Sequence, residues 1–109
     1  MKIAISSVGD SLDSQVADVF GRCLYFIIVE IEDGKIIKTG VLKNENESQQ
    51  SGAGIATSQL MVDEKIETVI AKNIGPKADD VLKQFKIEVY NADGSIKEAI
   101  DSFIAKNNK

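Results

Sequence analysis

Apolar and polar residues alternate along the first part of the chain with the two-residue period of β-strands. Residues 2–7, 24–31 and 35–42 are rich in apolar β-branched residues and predict three strands. Asp33-Gly34 separates the second and third of these segments, and this dipeptide is a strong hairpin signal. We therefore expect the second and third strands to pair antiparallel.

The second part of the chain contains three segments with helical patterns. Residues 52–64 and 75–85 carry apolar residues at helical spacing. Pro76 falls at the first position of the second helix, where its missing amide hydrogen is not needed. Asp93-Gly94-Ser95 precedes a third, amphipathic helix. Its apolar stripe comprises Ile96, Ile100, Phe103 and Ile104.

Two short apolar runs between these helices, residues 66–71 and 87–90, predict the last two strands. The order of elements is therefore βββαβαβα. Because strands that are neighbours in sequence tend to be neighbours in a sheet, and parallel crossovers are right-handed, this order predicts an α/β fold. Its mixed five-stranded sheet has the strand order 3-2-1-4-5, with strand 2 antiparallel to the rest.

Four turns of small residues lie at the predicted junctions between strands and helices, and the topology places all four at one edge of the sheet. Glycine in such turns permits positive φ and the close approach of a ligand or another backbone. Open α/β sheets bind ligands at this edge, so we expect a ligand site there. The turns are Ser6-Ser7-Val8-Gly9, Phe20-Gly21-Arg22-Cys23, Gly52-Ala53-Gly54 and Asn73-Ile74-Gly75-Pro76.

Two longer loops connect the predicted elements. Residues 9–22 are polar at first and apolar later, and Val16, Val19 and Phe20 are expected to anchor this loop. Residues 43–51 contain no apolar residue. We therefore expect the second loop to be mobile and to suit a lid over the ligand edge.

Length and composition are those of one globular domain, residues 1–109. Of the 109 residues, 43% are hydrophobic and 28% are charged, which suffices for a single core. The longest apolar run, residues 24–29, is too short to cross a bilayer, and the N-terminus leads directly into a strand, so we expect a cytoplasmic protein. A net charge of −4 argues against nucleic acid and favours a small ligand or a protein as the partner.

The available residue types restrict metal chemistry. The chain has no histidine and a single cysteine, Cys23. This excludes an internal disulfide and the common histidine-based zinc and triad sites. Any metal bound here must use one thiolate, carboxylates or ligands from outside the chain.

Four motifs occur in order along nearly the whole chain. They are the opening strand Met1-Lys2-Ile3-Ala4-Ile5, Phe20-Gly21-Arg22 followed by Tyr25-Phe26, Gly52-Ala53-Gly54 at a helix start, and Ile74-Gly75-Pro76 followed by a helix and Ile87-Glu88-Val89-Tyr90. In these motifs the chain resembles the dinitrogenase iron-molybdenum cofactor biosynthesis family, whose members are nitrogenase accessory factors.

The resemblance implies a three-layer α/β/α, ribonuclease-H-like fold with the strand order derived above. It also implies the binding of an iron-sulfur or iron-molybdenum cluster precursor, with a metallocluster donor or acceptor protein as partner. The family often has histidine directly before Phe-Gly-Arg, where this chain has Val19.

In the turn Gly21-Arg22-Cys23, Cys23 is the candidate metal ligand and its two neighbours are candidate cofactor-binding residues. A thiolate suits iron-sulfur clusters, and Arg22 favours the ionised form of the thiol. A free cysteine is also commonly a small buried hydrophobic residue. The position of the sulfur distinguishes these alternatives, because exposure at the glycine-lined edge favours a carrier and burial in the core favours a module without a cofactor.

Further candidate cofactor-binding residues lie in the other turns of the same edge. Gly52 and Gly54 present backbone N–H groups to an anion at a helix N-terminus, or else allow helix and sheet to pack closely. Arg22 pairs either with an anionic ligand or with an acid in the first long loop. Lys72 and Asn73 are polar residues after an apolar strand and are expected to point into the cleft.

The sequence favours a binding or carrier protein over an enzyme. Nucleases and phosphotransferases of the ribonuclease-H-like fold place metal-binding carboxylates in the first strand and near the fourth, but residues 3–7 and 68–71 contain no acid. Two hypotheses remain. One is a carrier of a cluster precursor or another anionic ligand at the glycine-lined edge, and the other is a protein-interaction or regulatory module of the same fold without a cofactor.

Overall fold

The predicted order of strands and helices is present in the computed structural model of the chain, which describes residues 1–46, 48 and 52–107. A short 3₁₀ helix, Phe20–Arg22, precedes the second strand and is not evident from the sequence pattern. The strands are β1 (Lys2–Ser7), β2 (Tyr25–Glu32), β3 (Lys35–Lys43), β4 (Thr68–Ala71) and β5 (Glu88–Asn91). The helices are α1 (Ala53–Asp63), α2 (Pro76–Gln84) and α3 (Ile96–Asn107).

The strands form one mixed sheet in the order β3-β2-β1-β4-β5. β2 pairs antiparallel with β1 and β3, whereas β4 lies parallel to β1 and β5. The predicted strand order and the antiparallel second strand are therefore confirmed. Asp33 and Gly34 form the turn of the predicted hairpin with φ of 53° and 75°, as a type I′ turn requires.

Helices cover both faces of the sheet, which gives the three layers that the family resemblance implies. Ala4 of β1 belongs to the core cluster that contains Met61 of α1 and Leu82 of α2. Its neighbour Ile3 belongs to the cluster on the other face, with Phe103 of α3, because successive strand residues point to opposite faces. Within the described part of the chain, none of the helices has the length and apolar composition needed to span a membrane.

The loop between β1 and β2 is anchored by Val16 and Phe20, which are both buried as predicted. The same expectation for Val19 is wrong, because Val19 is 44% exposed. Its backbone forms a bridge with Asn73, just beyond β4. The amide of Phe20 then donates to the carbonyl oxygen of Asn73 (3.0 Å), and the Phe20 ring takes the inward position instead.

The segment after β3 is anchored by a polar residue. Asn44 is completely buried. Its Nδ2 donates to the carbonyl oxygen of Cys23 (2.9 Å), and its Oδ1 accepts from the amide of Asn46 (3.1 Å). The loop expected to be mobile, residues 43–51, therefore does not begin at residue 43. Residues 47 and 49–51 of this loop lie outside the described residues.

The first testable prediction concerns the end of α1. Lys65 has a φ of 59°, and the amide of Ile66 donates to the carbonyl oxygen of Met61 (3.0 Å), as in a Schellman motif. Because glycine adopts positive φ without a Cβ clash, Lys65→Gly should raise the free energy of unfolding by about 0.5–1 kcal/mol. Urea denaturation measures this gain. Lys65→Ala is the control and should give none, and a loss of stability in Lys65→Gly would contradict the prediction.

Candidate functional site

The 3₁₀ helix before β2 packs directly against the first turn of α1. Gly21 is buried at this contact. A Cβ atom built on Gly21 would lie 2.8 Å from the Cα atom and 2.9 Å from the nitrogen of Gly54, closer than packed atoms approach each other. Glycine at position 21 therefore allows the end of the first long loop to touch α1.

The helices α1 and α2 begin side by side. The hydroxyl of Ser58 lies 2.9 Å from the carbonyl oxygen of Gly54 in its own helix and 3.2 Å from that of Ala78 in α2. A Cβ atom on Gly54 would lie 3.3 Å from the Cβ of Ala78. The first turns of the two helices are therefore held close together.

A cleft of about 440 Å³ lies between these two helix starts and the 3₁₀ helix. We term it the glycine cleft, after the four glycines that line it, Gly21, Gly52, Gly54 and Gly75. Three of the four predicted turns thus meet in one place. The fourth turn borders an adjoining cavity of about 190 Å³ through Val8, and this cavity shares Val19 and Arg22 with the glycine cleft.

The electrostatics of the glycine cleft favour a negatively charged ligand. α1 follows Gly52, which has a φ of 73°, and α2 follows Gly75, and glycine has no side chain with which to cap a helix. The amides of a first turn have no partner within their own helix, and the helix dipole makes that end positive. Arg22 and Lys77 add two cationic side chains to the lining. Such an arrangement is typical of an anion site.

Cys23 is packed in the core rather than exposed in the glycine cleft. It is 3% exposed and belongs to the cluster between the sheet and α1 and α2. Its Sγ donates to the carbonyl oxygen of Phe20 (3.2 Å). Burial raises the pKa of the thiol from 9.0 to about 12, although hydrogen bonds with the backbone of Ser7 and the side chain of Asn44 oppose the rise. The thiol is therefore protonated at neutral pH, and its position is the one that favours a module without a cofactor.

Asn44 is a structural residue of this edge that the sequence analysis missed. Its amide donates to the carbonyl oxygen of Leu24 (2.9 Å), and its Oδ1 accepts from the hydroxyl of Thr57 in α1 (3.5 Å). Together with its hydrogen bond to Cys23, these contacts join the start of β2, the end of β3 and α1. Asn44 stands in a run of polar residues, so the pattern gives no sign of which residue is buried, and only its place directly after a strand hints at it.

Lys72 and Asn73 lie at the same edge of the sheet but do not line the glycine cleft. Nζ of Lys72 is 3.4 Å from Oδ1 of Asp18, and Nδ2 of Asn73 donates to the carbonyl oxygen of Asp18 (2.9 Å). Both side chains therefore hold the first long loop. They line a second groove, which runs beside α2 and β5.

The polar groups that the glycine cleft offers to a ligand are helix-start amides and the cationic side chains of Arg22 and Lys77. Within residues 1–46, 48 and 52–107, no three His, Cys, Asp or Glu side chains form a group that could hold a metal ion. Amides and cations repel a bare metal ion but attract an anion. The cleft therefore fits a preassembled anionic group better than a single cation.

Comparison with known sequences identifies relatives along almost the entire chain. The sequence pattern of the family described as dinitrogenase iron-molybdenum cofactor matches residues 1–106. An uncharacterised protein of Methanocaldococcus jannaschii, MJ0580, is 35% identical over 106 residues, which cover 95% of this chain and 90% of that protein.

Solved structures with the same fold include two from bacteria. The NMR structure of a candidate NifB protein from Thermotoga is 36% identical, with a TM-score of 0.80 over 98% of this chain and 89% of that one. The apo form of the orange protein from Desulfovibrio gigas is 25% identical, with a TM-score of 0.89 over 96% of this chain and 88% of that one.

The second testable prediction is that Gly21→Ala destabilises the fold. Its Cβ would meet backbone atoms of Gly54, which cannot move aside as a flexible side chain can, so we expect a loss of about 3 kcal/mol in the free energy of unfolding. Gly75→Ala is the matched control, because its Cβ would meet nothing within 4 Å, and should change stability by no more than about 1 kcal/mol. Equal effects of the two substitutions in urea denaturation would contradict the close contact.

The third testable prediction is that the thiol of Cys23 does not react in the native protein. Because Cys23 is buried and the pKa of its thiol is raised to about 12, N-ethylmaleimide should not label it at neutral pH. The urea-unfolded chain is the control and should be labelled completely. Mass spectrometry of the intact protein counts the label, and rapid labelling of the native protein would show that the sulfur reaches solvent.

Proposed function

The chain belongs to the dinitrogenase iron-molybdenum cofactor family, as its motifs predict, and from this premise we propose that it is a carrier that holds an anionic iron-sulfur or iron-molybdenum cluster precursor in the glycine cleft. The cluster is cargo to be passed on rather than a resident cofactor. Sulfide and thiolate ligands contribute negative charge to such clusters. A carrier of this kind therefore needs a site for a large anion.

The observation that supports this proposal most strongly is the meeting of two glycine-capped helix starts in one cleft. The first-turn amides of α1, after Gly52, and those of Lys77 and Ala78 in α2, where Pro76 has no N–H, donate hydrogen bonds to the cargo. Because Gly54 has no Cβ, Ala78 of α2 packs close to it and the two helix starts meet at the cleft. Arg22 and Lys77, at the rim, neutralise the remaining negative charge of the cargo.

The cargo is held without a protein thiolate, because Cys23 is buried and protonated. Its metal ions keep the small ligands with which they arrive, or receive ligands from a donor or acceptor protein. Hydrogen bonds and ion pairs release an intact cluster without the breaking of a metal–sulfur bond. Such binding suits transfer to an acceptor protein rather than permanent storage.

The other predicted site residues shape the cleft instead of touching the cargo. Gly21 allows the 3₁₀ helix to approach α1. Lys72 and Asn73 hold Asp18, and so fix the loop that presents Arg22. No catalytic residue is assigned, because β1 and β4 carry no acid and the described residues contain no group of metal ligands.

The second candidate function is a protein-interaction or regulatory module of the same fold without a cofactor. The burial of Cys23 favours this candidate, because it withdraws the single thiol of the chain from solvent. The two candidates differ in one measurable respect. A carrier retains iron and sulfide after reconstitution, and a module of the second kind does not.

The fourth testable prediction is that the glycine cleft retains an iron-sulfur cluster. The protein is reconstituted anaerobically with iron, sulfide and a small thiol, desalted, and analysed for iron, sulfide and visible charge-transfer absorbance. Arg22→Glu and Lys77→Glu place negative charge beside the anion and should each lower the retained iron by about tenfold. Lys97→Glu is the charge-matched control, because Lys97 is an exposed residue of α3 on the other face of the sheet, and should leave retention unchanged.

Cys23→Ser separates the alternatives within the same experiment. If it retains iron and sulfide like the unmodified protein, with unchanged circular dichroism, the cargo is held without the thiolate. Loss of both components from a folded Cys23→Ser variant would make the thiol a ligand and would contradict the proposed mode of binding. If the unmodified protein retains neither component, the carrier gives way to the cofactor-free module.

A further inference from the structure

β5 is an edge strand of the sheet, with β4 on one side. The amide of Glu88 donates to the carbonyl oxygen of Glu67, directly before β4, and the amide of Ala92 donates to that of Ala71 (3.1 Å each). Successive residues of a strand direct their N–H and C=O groups to opposite sides. Val89 and Asn91 therefore direct theirs to the open side of β5.

The open side of β5 borders the groove that runs beside α2, which has a volume of about 850 Å³. We term it the edge groove. Ile74, Ile87 and Val89 give it an apolar lining, and Lys83 and Lys86 stand on the α2 side. An extended segment of about six residues is roughly 20 Å long, which matches the reach of one short strand with its flanking residues.

The other edge strand, β3, has features that oppose pairing with another chain. It carries Lys35, Lys38 and Lys43, and its register with β2 shifts after Glu30. Lysines and bulges of this kind protect sheet edges. β5 contains no lysine, and its register with β4 is regular, so β5 is the edge better suited to receive a further strand.

We propose that the edge groove binds an extended acidic peptide segment of a partner protein, which adds to β5 as a further strand. The N–H and C=O groups of Val89 and Asn91 match another extended backbone, as in other cases of strand addition. Of its lining residues, the edge groove shares only Pro76 with the glycine cleft. The proposal therefore goes beyond cluster binding and does not depend on it.

The charges around the edge groove select an acidic segment. Lys72, Lys83 and Lys86 line it. Lys72 forms an ion pair with Asp18 (3.4 Å) and Lys83 with Asp79 (2.8 Å). Glu88 is the other acid of the lining. It occupies the same strand face as Tyr90, which packs against the core under α3, so its side chain is directed to the other side of the sheet. The α2 side of the groove, with Lys83, Lys86 and Asp79, therefore keeps a net positive charge that Lys86 supplies.

The fifth testable prediction is that a synthetic acidic strand binds here. The probe is acetyl-(Glu-Val)₃-amide, added to the full, ¹⁵N-labelled chain, and acetyl-(Lys-Val)₃-amide is its basic counterpart. We expect the amide resonances of Val89 and Asn91 to shift with the acidic peptide, and the basic peptide to bind at least about tenfold more weakly. Equal binding of both peptides, or binding of neither, would overturn the proposal.

Variants of the chain test the two parts of the recognition. Val89→Pro removes an outward N–H and leaves the hydrogen bonds to β4 in place, and Lys86→Glu reverses one charge. Each should weaken binding by about tenfold, whereas Lys97→Glu, on α3, should not change it. Unchanged binding in a folded Val89→Pro variant would overturn strand addition.

A peptide N-methylated at alternate residues tests strand addition on the unmodified protein, in case Val89→Pro does not fold. The methyl groups block its hydrogen bonds along one side, so one of the two alternate methylation patterns should abolish the shifts at Val89 and Asn91. Equal binding of both patterns would overturn the proposal. Sedimentation of the protein alone tests whether β5 instead pairs with a second copy of the chain. Self-association that Val89→Pro abolishes would identify that second copy as the occupant of the edge groove. This result would contradict the proposal of a partner protein.

Discussion

The contact between the backbone of Gly21 and the first turn of α1 fixes the geometry of the ligand edge. At a distance where no Cβ fits, the 3₁₀ helix and α1 lock together through main-chain atoms rather than through side chains that can change rotamer. Arg22 is thereby held at the rim of the glycine cleft. Cys23, the next residue, is directed into the core just before β2. Of these two neighbouring residues, Arg22 therefore lines the cleft and Cys23 packs in the core.

The burial of Cys23 determines which chemistry this edge can offer. A thiol whose pKa is raised to about 12 contributes to packing, and in the proposed function backbone amides and cationic side chains recognise the anion. α2 takes part in both proposed sites. Its first turn borders the glycine cleft, its body forms one wall of the edge groove, and Pro76 lines both. A cargo and a partner protein would therefore contact the same helix from two sides.

The fold could be predicted from the sequence because its determinants are local. The periodicity of apolar residues, the Asp33-Gly34 turn and Pro76 at a helix start each specify a nearby piece of backbone, and the connection rules then leave few sheet orders. The meeting of the glycine turns follows from that order. The directions of individual side chains could not be predicted, because they depend on contacts between distant segments. Val19 faces outward because its backbone pairs with Asn73, and Asn44 is buried because the start of β2 and α1 surround it.

The location of the metal in a crystal of the reconstituted protein tests the central claim most directly. Anomalous diffraction at the iron absorption edge should place iron between the first turns of α1 and α2. Cluster sulfides should lie within hydrogen-bond distance of the first-turn amides of α1 and of the amides of Lys77 and Ala78 in α2. Such a position would be expected of an anion held by backbone and cations. Iron bonded to the sulfur of Cys23, or iron bound to carboxylates away from the glycine cleft, would contradict it.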